Sequence, residues 1–166
     1  MKALAIALLM ISSTVTWAAP LQAGETAPCV TLPQVDKDGN KSTQSTCASQ
    51  ASGKKIVLEF FATWCGYCKQ NLPVFESIAA KLQDKADFRV VGIDETTEPL
   101  EQYFAGRTMD GYSLAFDPQF SSVEAFGIEG TPSIYVIGTD GKIVLFHEGT
   151  METPEEIQQV EDAIAN

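Results

Sequence analysis

The sequence predicts an α/β fold, built as a central mixed β-sheet flanked by helices with an added N-terminal β-hairpin, on three grounds. Residues 56–61 are an apolar and aromatic run interrupted only by Glu59, the pattern of a strand covered on both faces. Residues 67–82 then switch to helical spacing through Leu72, Phe75, Ile78, Ala79 and Leu82, and residues 88–93 return to a strand pattern. Finally, residues 133–137 and 142–147 are strand-like runs joined by Gly138-Thr139-Asp140-Gly141, which makes them an antiparallel hairpin.

From the N-terminus, Met1-Lys2 supplies a positive charge and residues 3–11 an apolar run too short to span a bilayer. Thr16-Trp17-Ala18-Ala19-Pro20 then has the small residues of a cleavage site. Residues 1–18 are expected to be a signal peptide, and residues 19–166 an exported, soluble domain without a membrane anchor after cleavage. Asp36-Lys37-Asp38-Gly39-Asn40 is the turn of the N-terminal hairpin, between residues 30–32 and a stretch before Cys47. Within the helix at 67–82, Pro73 removes one backbone hydrogen bond and bends the axis. Residues between the strand at 88–93 and the hairpin at 133 read as a helical connection. Pro99 opens one short helix carrying Leu100, Tyr103 and Phe104, and Ser121-Ser122-Val123-Glu124 offers a capping box for another ending near Gly127. Thr153-Pro154-Glu155-Glu156 combines an N-cap, a first-turn proline and an N3 glutamate; Ile157, Val160 and Ile164 give the closing helix its buried stripe.

The 166 residues suit one domain, and 45% hydrophobic with 20% charged residues suits a globular chain. A formal net charge of -11, with no Lys/Arg cluster interleaved with aromatics, argues against nucleic acid or an anionic membrane surface as a partner.

Trp64-Cys65-Gly66-Tyr67-Cys68 carries the chemistry. Two residues between thiols at a helix start let a disulfide form without distorting the first turn. Cys65 at the helix N-terminus faces free backbone N–H groups and the positive end of the macrodipole, which favour a thiolate. In such motifs the thiol pKa falls from about 8.5 into the range of roughly 3.5–7.5. Cys68, one turn further in, is placed to resolve a mixed disulfide. Zinc is disfavoured because the other cysteines lie far upstream and His147 is the only histidine. A c-type haem needs histidine after Cys68, where Lys69 stands. No metal or cofactor is expected. All four cysteines follow the leader, and an even count in an exported chain suggests pairing. Cys29 and Cys47 stand symmetrically about Asp38 and face each other if the hairpin is regular. A structural disulfide there would be worth about 3 kcal/mol; a second redox relay or two unpaired thiols are the alternatives.

From Gly24 onward the chain resembles the thioredoxin superfamily, in particular its exported TlpA/ResA-like branch. The resemblance rests on Ala27-Pro28, Gly53-Lys54, the segment from Phe61 through Cys68, Pro73, Gly130-Thr131-Pro132-Ser133, Asp140-Gly141-Lys142-Ile143 and Gly149. It implies a thioredoxin fold and a thiol–disulfide oxidoreductase that reduces disulfides of periplasmic clients. It also implies recharging by a membrane electron donor of the DsbD/CcdA kind, with apocytochrome c and copper-handling proteins among the clients. By the same resemblance Pro132 is a cis-proline opposite the cysteines, and the Thr131 backbone pairs with an extended client segment. Glu59, six residues before Cys65, is the buried acid that takes the Cys68 proton through a water. Trp64, Gly66 and Tyr67 shape the surface that meets the client. One feature departs from the branch: Tyr67 stands where proline is frequent, and Gly66-Tyr67 with Thr131 resembles the isomerase DsbC. An isomerase or oxidant using the same pair is therefore the alternative. A copper-binding assembly factor of the Sco kind has three residues between its cysteines, against two here; a peroxiredoxin needs proline and threonine where Leu58 and Ala62 stand.

Overall fold

In a computed structural model, which describes residues 19–35, 41–46 and 53–166, the chain first forms β1 (Thr31–Val35), β2 (Lys41–Ser45) and β3 (Lys55–Phe61). It continues through α1 (Gly66–Leu82), β4 (Ala86–Gly92), α2 (Glu98–Phe104), β5 (Tyr112–Phe116) and α3 (Ser121–Phe126). It closes with β6 (Ser133–Ile137), β7 (Ile143–Glu148) and α4 (Pro154–Ala165). The strands make one seven-stranded sheet in the order β2-β1-β5-β4-β3-β6-β7. β3, β4 and β5 run parallel, and β1 and β6 join them antiparallel from the two sides, so the sheet is mixed as expected.

β3 is central because both of its faces are covered: Ile56, Val57, Leu58, Phe60 and Phe61 are all fully buried. Alternation along the strand sends Phe60 to a cluster with Phe126 of α3 and Tyr135 of β6, at ring-centroid distances of 5.7 and 6.2 Å. Phe61, on the other face, meets Tyr103 and Phe104 of α2 at 5.3 and 5.6 Å. The closing helix α4 has both bonds of the capping box between Thr153 and Glu156 that the sequence predicts.

Two elements differ from the sequence reading. β5 was not foreseen, because Tyr-Ser-Leu-Ala-Phe is short and holds two residues of weak strand propensity. Pairing on both sides makes it a strand: β4 lies parallel to one edge and β1 antiparallel to the other. It is also what joins the added N-terminal hairpin to the sheet. The second difference is the start of α3. No capping box forms at Ser121; the side chain of Asp117 instead accepts the backbone N–H groups of Ser121 (2.9 Å), Ser122 (2.7 Å) and Val123 (3.3 Å). Both serine hydroxyls also donate to this carboxylate. A carboxylate satisfies several orphan donors where a hydroxyl satisfies one, so the acid wins. The preceding Phe120 then takes a left-handed conformation at φ 57°, unlike any other non-glycine among the described residues.

The expected signal peptide at residues 1–18, the turn at 36–40 and Cys47 lie outside the described residues. Among the described residues no helix is long and apolar enough to cross a membrane.

Candidate active site

Three loops at the C-terminal end of the parallel strands build the site. β3 ends at Phe61, and the turn after it closes with the Cys65 N–H donating to the Ala62 carbonyl at 3.1 Å. Asp94, buried beyond the end of β4, clamps this turn: its carboxylate accepts the Thr63 N–H at 3.0 Å and the Thr63 hydroxyl. The turn delivers Cys65 to the N-cap of α1 in an extended conformation, where its Sγ accepts the Cys68 N–H at 3.0 Å. Donation from that free backbone group is the contact that stabilises negative charge on sulfur.

Cys65 and Cys68 are joined as a disulfide. Their exposures differ: Cys65 retains 7% of its surface, at the mouth of a groove, whereas Cys68 is fully buried. The Thr131–Pro132 peptide is cis, and the Thr131 carbonyl oxygen lies 3.4 Å from Cys65 Sγ. Trp64 and Tyr67 flank the pair and remain 70% and 64% exposed. Trp64 therefore packs little against the core. A Cβ added to Gly66 would meet nothing within 4 Å, so the space around Gly66 does not demand glycine.

Glu59 lies beneath α1, in the middle of β3 and fully buried. Its Oε1 accepts the Asn71 Nδ2 group at 2.8 Å, while its Oε2 has no hydrogen-bond partner among the described residues. Burial pushes the Glu59 carboxyl up from 4.5 to about 8, against the lowering effect of the Asn71 bond. Asn71 is held in turn by the Met151 N–H, which donates to its Oδ1 at 2.9 Å.

The structure thus brings together Trp64, Cys65, Gly66, Tyr67, Cys68, Thr131 and Pro132, with Glu59 behind them. The sequence reading missed Asn71 and Asp94. Asn71 had a signal: it is the polar break in an otherwise apolar buried stripe of α1 running through Cys68, Leu72, Phe75 and Ile78. Asp94 had only its place just past a strand end. Cys29 is exposed and is not a free thiol. His147 is half-buried on β7.

Comparison with known proteins places this geometry. Residues 22–164 match the Redoxin family. The chain is 30% identical to the thioredoxin-like protein YneN of Bacillus subtilis over 143 residues, covering 84% of this chain and 78% of that one. It is 28% identical to the thiol-disulfide oxidoreductase ResA of Oceanobacillus iheyensis over 133 residues, covering 77% of this chain and 66% of that one. Plant protein disulfide-isomerases also match, but the chain spans only 24% of the one from Medicago sativa. Among solved structures, a putative thiol:disulfide interchange protein DsbE from Chlorobium tepidum superposes with a TM-score of 0.72 at 28% identity, covering 87% of this chain and 96% of that one.

Proposed function

Because the chain belongs to the Redoxin family, with the thioredoxin fold and a cysteine pair at a helix start, we propose that this thiol–disulfide oxidoreductase is exported and reduces disulfides of periplasmic client proteins. The carrying observation is the unequal environment of the pair: a Cys65 sulfur at the groove mouth accepting the Cys68 N–H, and a Cys68 sulfur sealed beneath it. In the reduced protein the Cys65 thiolate attacks one sulfur of a client disulfide. The client S–S bond breaks, a Cys65–client disulfide forms, and the other client sulfur leaves as a thiolate. Cys68, its proton passing to Glu59, attacks Cys65 and expels the second client thiolate. The client gains two electrons and the protein is left with the Cys65–Cys68 disulfide. The client backbone lies against Thr131 and Pro132, with Trp64, Gly66 and Tyr67 around the reacting sulfurs. A membrane electron donor of the DsbD/CcdA kind returns the two electrons. Export through a cleaved leader at residues 1–18 leaves residues 19–166 as the working domain.

The reductive direction follows from the TlpA/ResA-like motifs of the sequence, and it is tested by the reduction potential of Cys65/Cys68 in defined thiol buffers. A value near or below roughly -250 mV is expected of a reductant. A value of roughly -120 to -180 mV would reassign the protein as an oxidant or isomerase.

The second cysteine pair belongs to the same reading as a structural clamp. β1 and β2 pair Thr31 with Ser45, and Val30 and Thr46 continue the ladder with a Thr46 N–H to Val30 carbonyl bond of 2.8 Å. The Thr46 hydroxyl donates to the Pro28 carbonyl at 2.6 Å. In sequence Cys29 precedes Val30 and Cys47 follows Thr46, which is what supports pairing the two cysteines. Mass spectrometry of the non-reduced protein should find a Cys29–Cys47 crosslinked peptide; a free thiol at either position would remove the clamp.

A further inference from the structure

Among the buried residues of α1, Asn71 alone carries an amide; the others are Cys68, Leu72, Phe75, Ile78 and Ala79. A buried amide is costly unless both of its ends are bonded. Both are. Nδ2 donates to Glu59 Oε1 at 2.8 Å, and Oδ1 accepts the Met151 N–H at 2.9 Å. One side chain thus ties α1 to the middle of β3 and to the loop between β7 and α4.

The direction of the amide follows from its backbone partner. A backbone N–H can only donate, so Met151 calls for an oxygen and leaves Nδ2 facing Glu59. The reverse setting would put a donor against the Met151 N–H and an oxygen against the carboxyl. With Nδ2 facing it, the ionised form of Glu59 gains a hydrogen bond, which acts against the effect of burial. The same bond occupies Oε1 and leaves Oε2, which has no hydrogen-bond partner among the described residues. The other titratable groups around Glu59 supply no such support. Glu76 on α1 is a like charge that pushes Glu59 up, and Tyr112 on β5 donates its hydroxyl to Glu76. His147 on β7 lies two strands away, beyond Ile134 in the same row of the sheet. Cys68 brings the proton to be moved.

We infer that Asn71 is a positioning residue for the exchange: oriented by the Met151 N–H, its amide holds Glu59 as a proton acceptor and reserves Oε2 for the Cys68 proton. This rests on the proposed role of Glu59 and adds to it the group that decides when the carboxyl is ready. In the step itself the Cys68 S–H bond breaks and an O–H bond forms at Oε2. The electron pair left on Cys68 attacks the Cys65 sulfur, and the pair of the Cys65–client bond leaves on the client sulfur.

The test reads the resolving step in single turnovers, with reduced protein in saturating excess over a disulfide-linked peptide, across a pH series that brackets 8. The wild-type rate should rise with a midpoint near 8. A hydrogen bond to a charged group is worth about one to two pH units. Asn71→Leu, close to isosteric, should raise the midpoint by that amount and slow the step about fivefold to fiftyfold at pH 8. Asn71→Asp keeps an oxygen for the Met151 N–H but sets a like charge against Glu59, so its midpoint should rise at least as far. On a Glu59→Gln background neither substitution should alter the profile. Midpoints unmoved in both variants overturn the inference. So does a wild-type profile for Asn71→Asp beside an Asn71→Leu slowed equally at every pH, which assigns the amide to packing alone. A Glu59→Gln profile identical to wild type overturns the role of Glu59 itself, and this inference with it.

Discussion

Cys68→Ser is expected to stop the reaction after its first step. The reduced variant still attacks through Cys65, so it accumulates as a covalent adduct with the client, and turnover falls by roughly a thousandfold or more. The reason is positional. Cys68 is fully buried one turn inside α1, where its sulfur is bonded to that of Cys65. Serine keeps the Cys68 N–H that Cys65 Sγ accepts, at 3.0 Å in the wild type, so thiolate stabilisation persists while the resolving nucleophile is gone. Cys65→Ser loses both the adduct and the turnover. Mass spectrometry of the client mixture under non-reducing conditions distinguishes the two. An adduct formed by Cys65→Ser and absent from Cys68→Ser would exchange the roles of the two cysteines.

Glu59→Gln produces the second large effect, and it has two parts with opposite signs. The Glu59 carboxyl titrates at about 8 in the folded protein, raised by burial from its ordinary 4.5. Below 4.5 it carries its proton in both folded and unfolded chains and contributes nothing. Between 4.5 and 8 the unfolded chain releases that proton while the folded protein keeps it, so stability falls as pH rises across this window. The full loss, reached where both states are ionised, is about 4–5 kcal/mol. Glu59→Gln removes the titration and should match wild type near pH 4 but exceed it in urea resistance at pH 8. Parallel stability–pH profiles for the two proteins would refute the assignment. Resolution of the mixed disulfide moves the other way. Without a carboxylate to take the Cys68 proton, that step should slow by roughly tenfold or more above pH 8, where Glu59 is ionised, and lose its dependence on a group titrating near 8. A variant both stabler and slower is the signature of a buried base kept for chemistry.

Much of the site was legible because its chemistry is local. The spacing of Cys65 and Cys68 is fixed by one helical turn, and Glu59 stands out as the charge in an apolar strand. The capping box of α4 was readable for the same reason, since all its partners lie within four residues. What escaped depends on distant partners. β5 is a strand through its two neighbours more than through its own five residues. Asp117 displaces the Ser121 capping box because the chain turns through a left-handed Phe120 to bring the acid over the helix start, a backbone choice that no pattern of residue types announces. Asn71 and Asp94 act across 12 and 31 residues of chain, onto Glu59 and Thr63.

The placement of β5 also bears on the order in which the molecule assembles. In β1, Gln34 pairs with Ala115 of β5, so this contact closes a loop that contains the whole β3–α1–β4 unit and α2. Long closures are slow to nucleate, and a lone two-stranded hairpin is barely stable in water. The hairpin is therefore expected to dock last, onto a sheet already formed by the other five strands. In that order β5, which carries the apolar residues Leu114 and Phe116, would be a bare edge open to the strand of another molecule. The N-terminal hairpin thus covers the edge of β5, and loss of the hairpin is expected to raise the tendency to aggregate.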